Sequence, residues 1–174
     1  TPYTSSAASD VYKRQGIIEV ESGVSFGQIF NVCMLDNWTL SSCPGSMDIT
    51  VGGAISNNVH GKDSYKMGNF GNHVLSLEIL LSSGDIVKID KKNNKELFFS
   101  IIGGLGLIGV ITKVELQLKK IFSPFVKSYN KISKNIHQTI EIFEKYKDDN
   151  DFSVAWTDCF VGDTNLGRGF VSLA

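Results

Sequence analysis

The chain has 174 residues, of which 42% are hydrophobic and 20% charged, and its formal net charge is −1. This is the composition of a globular protein able to bury the core of about one domain. The balance of charge argues against a nucleic-acid partner, which requires a basic excess, and no apolar run approaches the ~20 residues of a transmembrane helix.

Both ends of the chain differ from the sequence between them. Residues 1–15, TPYTSSAASDVYKRQ, have no signal-peptide pattern, and "DVYKRQ" can be encoded by GATGTGTATAAGAGACAG, which reads like a transposon end used in sequencing libraries. We therefore expect residues 1–15 to be a sequencing or cloning artefact. The final residues, GRGFVSLA, stop within a predicted strand, so we expect the chain to be an internal fragment of a longer protein.

The first half contains a strand, a capped helix and a turn. Ile17–Val20 is a short apolar run typical of a strand. Ser25 with Gln28 has the form of a capping box and predicts a helix over about 26–36. The residues "CPGS" at 43–46 predict a turn.

The second half mixes strands and helices without regular alternation. The pattern predicts a hairpin of 74–81 with 86–89 around "SSGD", a helix over 96–102 capped by Asn93 or Asn94, a strand over 110–118 and an amphipathic helix over 132–146. Such a mixture favours an α+β fold. Pro124 follows the last alternating strand, so we place a domain boundary within 119–125.

Cysteine and histidine spacing indicates neither a disulfide framework nor a metal site. An odd number of cysteines without CxxC spacing predicts reduced thiols that are buried or half-buried: Cys33, Cys43 and Cys159. The histidines lie in separate segments without a carboxylate cluster: His60, His73 and His137. We therefore predict no metal.

The glycines Gly104, Gly106 and Gly109 match the letters GxGxxG of the dinucleotide-binding fingerprint. That fingerprint must follow a strand and open a helix. Here it follows a predicted helix and opens a predicted strand, so we reject a Rossmann fold. The glycines still indicate close approach of the backbone to a ligand or a packed neighbour.

The stretch TVGGAISNNVHGKD, residues 50–63, combines glycines with a histidine and a lysine. Bare amides of such a segment can form a nest for a phosphate, although a Gly-Gly pair is also a common tight turn. If the chain is extended near His60 and Lys62, both side chains project to one face. They would suit an anion, a developing oxyanion or reduced flavin; a solvated surface loop is the alternative.

Together these segments resemble a known family. The stretch "PGSMDITVGGAISNNVHGKDSYKMGNFGNHVLSLEILLSSGDI", followed by ELF-x(4)-GGxGLxG, is similar to the second half of the FAD-binding domain of the vanillyl-alcohol-oxidase/p-cresol-methylhydroxylase (PCMH-type) class, and within it to the branch of decaprenylphosphoryl-β-D-ribose 2-oxidase. The likeness covers residues 16–122 and continues more loosely into 153–170. It implies a PCMH-type FAD-binding domain, truncated at its N-terminus, over 16–122, and the beginning of a substrate or cap domain over 123–174.

The resemblance also implies which residues contact FAD and substrate. A strand–turn would lie against the pyrophosphate and ribityl chain through Gly45, Ser46, Thr50, Val51, Gly52 and Gly53. The cofactor set continues with Asn57, Asn58, Val59 and His60, of which Asn57 and His60 border the flavin, and with Ile111 near the adenine half. His60 and Lys62 would be the catalytic residues, facing the substrate at the isoalloxazine ring.

The implied activity is that of an FAD-dependent oxidoreductase. It would oxidise a secondary alcohol of a sugar by hydride transfer to the flavin, with the 2-hydroxyl of decaprenylphosphoryl-ribose or a related lipid-linked sugar as candidate. The alternatives are a sugar-1,4-lactone oxidase that uses oxygen as acceptor and a non-catalytic binding module. If the activity is oxidation of a lipid-linked sugar, we expect a partner reductase for the keto product. We also expect a location in the cytoplasm or on the cytoplasmic side of a membrane.

Overall fold

The computed structural model describes residues 11–12 and 15–174. Of the expected artefact at 1–15, all but Val11, Tyr12 and Gln15 lies outside the described residues. The chain forms two compact units. The first comprises the described residues up to Gly61 together with Met67–Pro124, and the second comprises Lys62–Lys66 with Phe125–Ala174.

Helices and strands follow one another in a mixed order. In chain order they are β1 (Val11–Tyr12), β2 (Ile17–Glu21), α1 (Phe26–Cys33), β3 (Trp38–Thr39), α2 (Val51–Ser56), α3 (Ser64–Met67), β4 (Val74–Leu81), β5 (Ile86–Asp90), α4 (Lys95–Ile101), β6 (Gly109–Gln117), β7 (Lys119–Lys120), β8 (Tyr129–Ser133), α5 (Ile136–Tyr146), β9 (Ser153–Thr157) and β10 (Gly169–Leu173). Single 3₁₀ turns occur at Met34–Asp36, Phe70–His73 and Asp163–Asn165. The predicted α+β class is confirmed.

An antiparallel sheet with the order β1-β2-β6-β4-β5 forms the frame of the first unit. The predicted hairpin is confirmed as β4 and β5, which pair from Ser76 with Asp90 to Leu80 with Ile86. In the turn after β5, the Asp90 carboxylate accepts hydrogen bonds from the amides of Lys92 and Asn93. These hydrogen bonds, chiefly those from Asn93, lower the pKa of Asp90.

The core of the first unit lies between this sheet and its helices. Its largest fully buried side chains include three phenylalanines from three segments: Phe26, Phe70 and Phe98. The rings of Phe26 and Phe70 lie 4.9 Å apart between centroids, which ties α1 to the turn before β4. Such close packing fixes the backbone of the segment around Phe70, which contains Gly71.

The first helix confirms its capping signal. The Ser25 hydroxyl accepts from the Gln28 amide, and the Gln28 side chain accepts in return from the Ser25 amide. Cys33 is buried at its end, and burial, with Asp36 adding a smaller effect, raises the pKa of that thiol to about 11. Cys43 is half-buried, but Cys159 is exposed, so the expectation that all three thiols are at least half-buried is wrong for Cys159.

The glycine cluster at 103–109 has the context that the sequence predicts. It follows α4 and opens β6, the reverse of the dinucleotide fingerprint. Asn94 occupies the N-cap position of α4 as predicted, but its backbone is left-handed and its side chain makes no capping hydrogen bond. That part of the prediction is wrong, because a left-handed residue does not direct its side chain at the helix amides as an extended N-cap does.

The second unit is a three-stranded antiparallel sheet, with the order β8-β10-β9, and the helix α5. The predicted helix over 132–146 begins only at Ile136, where the Asn135 side chain caps the Gln138 amide. Ile132 instead lies in β8, paired with Phe170 of β10. Its spacing from Ile136 imitates a helical period across a strand–helix junction.

Among the described residues, no helix has the length and apolar character needed to cross a membrane.

Candidate cofactor-binding site

The glycine pair of TVGGAIS lies in the short helix α2. Thr50, extended at the N-cap, accepts a hydrogen bond from the Gly53 amide on its side-chain oxygen at 3.2 Å. The helix buries Val51, Ala54 and Ile55, which share one face at spacings of three and four. The expected strand–turn is therefore wrong, because this cap and apolar face outweigh the ~1 kcal/mol that each glycine costs a helix.

The first amides of α2 already have acceptors within the protein. They donate as follows: Val51 to the Val24 carbonyl at 2.9 Å, Gly52 to the Ser22 carbonyl at 2.8 Å, Gly53 to Thr50 Oγ1 at 3.2 Å, and Ala54 to the Thr50 carbonyl at 2.9 Å. The expectation of bare amides forming a nest for phosphate is therefore wrong at these positions. Within α2, the exposed backbone without a side chain is at Gly53.

The two glycines differ in what their missing side chains make room for. A Cβ on Gly52 would lie 2.9 Å from Ser22 Cβ and 3.2 Å from the Ser22 carbonyl oxygen, so the close approach of the chain explains this glycine. A Cβ on the exposed Gly53 would meet only Thr50 Oγ1, at 3.1 Å. A Cβ on Gly53 would meet no backbone and no other side chain, so Gly53 leaves exposed backbone that a ligand can approach closely.

Gly45 and Ser46 lie in the exposed segment before α2. A Cβ on Gly45 would meet nothing within 4 Å, and its φ is not in the left-handed region. The Ser46 hydroxyl accepts from the Asp48 amide at 3.3 Å. Further along, the Met47 carbonyl accepts from the Gly27 amide at 2.9 Å, which holds the segment to the start of α1. Gly45 therefore has no packing reason to be glycine.

Three glycine-containing segments, those around Gly53, Gly103 and Gly71, are joined by hydrogen bonds at the C-terminal end of α2. The Gly103 amide donates to the Ile55 carbonyl and the Leu105 amide to the Ser56 carbonyl, each at 2.9 Å. In the third segment, the buried Gly71 amide donates to Asn58 Oδ1 at 3.1 Å. These hydrogen bonds bring together stretches that lie far apart in the sequence.

Asn58 and Val59 act within the protein at this junction. Asn58 has a φ of 43°, a left-handed conformation that asparagine tolerates better than most residues. The Val59 amide donates to the Ala54 carbonyl at 3.0 Å, and its carbonyl accepts from the Phe70 amide at 2.8 Å. These two residues therefore fix the exit of α2, and their predicted contact with FAD stays a prediction.

The remaining predicted residues differ in accessibility. Asn57 is exposed and its side-chain amide donates to the Gly53 carbonyl at 2.9 Å; His60 is exposed as well. Ile111, in contrast, is only 6% exposed, and its side chain belongs to the core of the first unit. A contact of Ile111 with FAD would have to use its backbone.

The two predicted catalytic residues fall in different units. His60 lies in the first unit, whereas Lys62 begins the segment that belongs to the second. Lys62 is exposed, and its carbonyl accepts from the Ser153 amide at 2.9 Å. That His60 and Lys62 face one substrate stays a prediction.

Sequence reasoning missed the acceptors that occupy the α2 amides and the contact at Gly71. Ser22 and Val24 follow β2 and act through backbone carbonyls, which no side-chain pattern reveals. Gly71 had a weak signal, since a glycine in GNFGNHV directly before a strand suggests close packing. A Cβ there would lie 2.3 Å from Ile102 Cγ2.

The chain is similar to a family of FAD-binding domains and to several curated proteins. Residues 8–90 match a family described as FAD binding domain. The chain is 28% identical over 158 residues to decaprenylphosphoryl-beta-D-ribose oxidase of Mycolicibacterium smegmatis, which covers 90% of this chain and 34% of that protein. It is 34% identical over 110 residues to cytokinin dehydrogenase 1 of Arabidopsis thaliana, 63% of this chain and 19% of that protein.

A third relative is Delta(24)-sterol reductase of Pisum sativum, 31% identical over 140 residues, 80% of this chain and 24% of that protein. The chain thus spans about a third or less of the length of these curated relatives. The match to an FAD-binding domain indicates that the cofactor is FAD, and the chain is similar to FAD-linked oxidoreductases.

Proposed function

We propose that the protein oxidises a secondary alcohol of a sugar with FAD as hydride acceptor, and that its substrate is a lipid-linked ribose oxidised at the 2-hydroxyl. The proposal is supported by the length of the match to one relative. The match to the decaprenylphosphoryl-ribose oxidase extends over 158 residues and so includes much of the second unit, whereas the match to the cytokinin dehydrogenase covers 110 residues.

The outward face of α2 carries the cofactor part of this proposal. Gly53 has no packing neighbour except the Thr50 hydroxyl, and the exposed Asn57 follows one turn later. Gly45 would add a second stretch of bare backbone. We infer that these three residues lie against FAD, while Gly52, Asn58 and Val59 hold the face in position.

Bound FAD would supply the redox chemistry, taking hydride from the carbinol carbon as the hydroxyl loses its proton and a keto sugar forms. The exposed ammonium of Lys62 suits the phosphate of a lipid-linked sugar or the oxygen that gains negative charge. His60 offers a ring nitrogen that can exchange a proton with the hydroxyl. A partner reductase for the keto product, and work at the cytoplasmic face of the membrane that holds the lipid, belong to the same proposal.

Replacing Lys62 by alanine tests the proposed role in the full-length, FAD-loaded protein. The probe is decaprenylphosphoryl-β-D-ribose at saturation, and the measurement is anaerobic stopped-flow bleaching of the flavin band. An exposed lysine contributes little to folding, so we expect an unchanged flavin spectrum and melting temperature. Loss of electrostatic stabilisation should slow bleaching at least ~10-fold.

Lys127→Ala removes another exposed lysine of the second unit and is the matched control. Bleaching by Lys62→Ala at the wild-type rate would contradict the role of Lys62. Bleaching of the wild-type protein by a sugar-1,4-lactone precursor alone would favour the lactone oxidase.

The sterol reductase favours a second candidate, reduction of a carbon–carbon double bond, because its match covers 80% of this chain. In that case pre-reduced flavin would be reoxidised by a sterol with a Δ24 bond. A yellow protein that responds to none of these compounds would support the non-catalytic binding module.

A further inference from the structure

Residues 62–66 pack within the second unit although the chain on either side of them belongs to the first. At one end of this segment, the Ser153 amide at the start of β9 donates to the Lys62 carbonyl at 2.9 Å. Inside the segment, the Lys66 amide donates to the Asp63 carbonyl at 3.0 Å, and Asp63 is only 4% exposed. The backbone of Lys62 is therefore held by the second unit.

A second anchor lies at the other end of the segment. The Lys66 ammonium donates to the Asp148 carbonyl oxygen at 2.9 Å and lies 3.5 Å from Asp151 Oδ1. The Asp148 carbonyl follows the C-terminus of α5, where a cation is favoured by the helix dipole. Between the two anchors, Lys147 Nζ lies 5.4 Å from the centroid of the Tyr65 ring.

The loop that receives these contacts is itself held on both sides. The side-chain amide of Asn150, which is 9% exposed, donates to the Tyr129 hydroxyl at 3.1 Å and to the Tyr146 carbonyl at 2.9 Å. The amides of Asp151 and Phe152 both donate to the Ala174 carbonyl at 2.8 Å. An anchor on this loop therefore transmits the position of the sheet and α5 to the segment.

We infer that Lys66, bridging the Asp148 carbonyl and the Asp151 carboxylate, is a positioning residue that holds the backbone of Lys62. The inference rests on the proposed function for its catalytic consequence, since it is the Lys62 ammonium that would face substrate. A lysine side chain has many rotamers, and fixing its backbone leaves fewer of them to restrict when substrate binds. Lys66 does not itself contact the substrate.

Hydrogen exchange tests the anchor without reference to catalysis. We compare the full-length protein with Lys66→Met, with Lys66→Arg as the conservative variant and Lys127→Met as the matched control. An exposed ion pair contributes up to ~1 kcal/mol, so we expect the Ser153 amide to exchange about fivefold faster in Lys66→Met. The arginine variant, which can donate to both acceptors, should restore the protection. Unchanged exchange in Lys66→Met would overturn the inference.

Flavin bleaching by decaprenylphosphoryl-β-D-ribose then tests the consequence. Lys66→Met should keep its flavin and bleach at least ~3-fold more slowly at saturating substrate, a kcat effect that Lys66→Arg largely rescues. Faster exchange with wild-type bleaching, in a protein where Lys62→Ala bleaches slowly, would overturn the positioning role. If Lys62→Ala bleaches normally, the proposed role of Lys62 fails, and the exchange result alone decides whether Lys66 is the anchor.

Discussion

Gly52 and Gly53 are neighbours in α2, yet they face different surroundings. Gly52 is half-buried, and its missing Cβ leaves room for the backbone that follows β2. Gly53 is exposed, and a Cβ there would meet only the Thr50 hydroxyl. The packing of the protein explains Gly52, and we propose that a close neighbour outside the chain explains Gly53. On that proposal, the glycine pair combines a structural position with a binding position.

The same contrast separates the other glycines of the first unit. A side chain on Gly71 would clash with Ile102. A Cβ on Gly104 would lie 2.2 Å from the Ser100 carbonyl oxygen. Gly45 meets nothing within 4 Å. A glycine-rich motif therefore does not show by itself which glycines bind a ligand. The surroundings of each glycine have to be compared.

The largest loss of stability should come from Asn58→Ala. The change leaves the buried Gly71 amide without its acceptor, which costs about 1–3 kcal/mol, and places alanine in a left-handed conformation, which costs roughly another 1 kcal/mol. We expect a decrease of about 3 kcal/mol in the free energy of unfolding, measured by urea denaturation. Asn58→Asp retains an acceptor and should lose far less; equal losses would mean that the hydrogen bond is not what matters.

Gly52→Ala should have the next largest effect. Its methyl group would press on Ser22, and overpacking of this kind typically costs about 2 kcal/mol. Gly53→Ala is the matched control: alanine favours the helix by up to ~1 kcal/mol, against a small displacement of Thr50. The free energy of unfolding of both variants is measured by urea denaturation. An equal loss in the two would contradict the difference between Gly52 and Gly53.

The smallest effect should come from Thr50→Ala, which removes the N-cap of α2. Loss of such a cap costs typically about 1 kcal/mol. Thermal unfolding should report this decrease, with FAD affinity changed only slightly because Thr50 holds the helix end. A loss of FAD as large as that of a substitution at Gly53 would show that the hydroxyl itself binds the cofactor.

Local signals predicted much of the fold. The reciprocal bonds of Ser25 and Gln28, and the turn between β4 and β5, depend on residues close in sequence, so their patterns were sufficient. The helix α2 was missed because its glycines disfavour a helix while its buried face is apparent only against the core. Ile132 was misplaced because its spacing from Ile136 fits a helix, although pairing with β10 decides its conformation.

Only part of the candidate site could be predicted from the sequence. The resemblance identified the stretch that carries Gly53 and His60, but the partners of the α2 amides are carbonyls after β2, which the sequence does not mark. Likewise, nothing local indicates that Lys62 belongs to the second unit, because Ser153 lies far along the chain. Long-range backbone contacts are what sequence patterns could not supply here.

The central claim is that the outward face of α2 at Gly53 lies against FAD, and Gly53→Val tests it most directly. FAD is titrated into the cofactor-free full-length protein by isothermal titration calorimetry, with Thr50→Ala and Gly162→Val as controls for the displaced cap and for a valine at another exposed, open glycine. The account predicts a Kd at least ~10-fold higher for Gly53→Val, a loss of ~1.4 kcal/mol, and small changes in both controls. Wild-type affinity in Gly53→Val would contradict the assignment of this face to the cofactor.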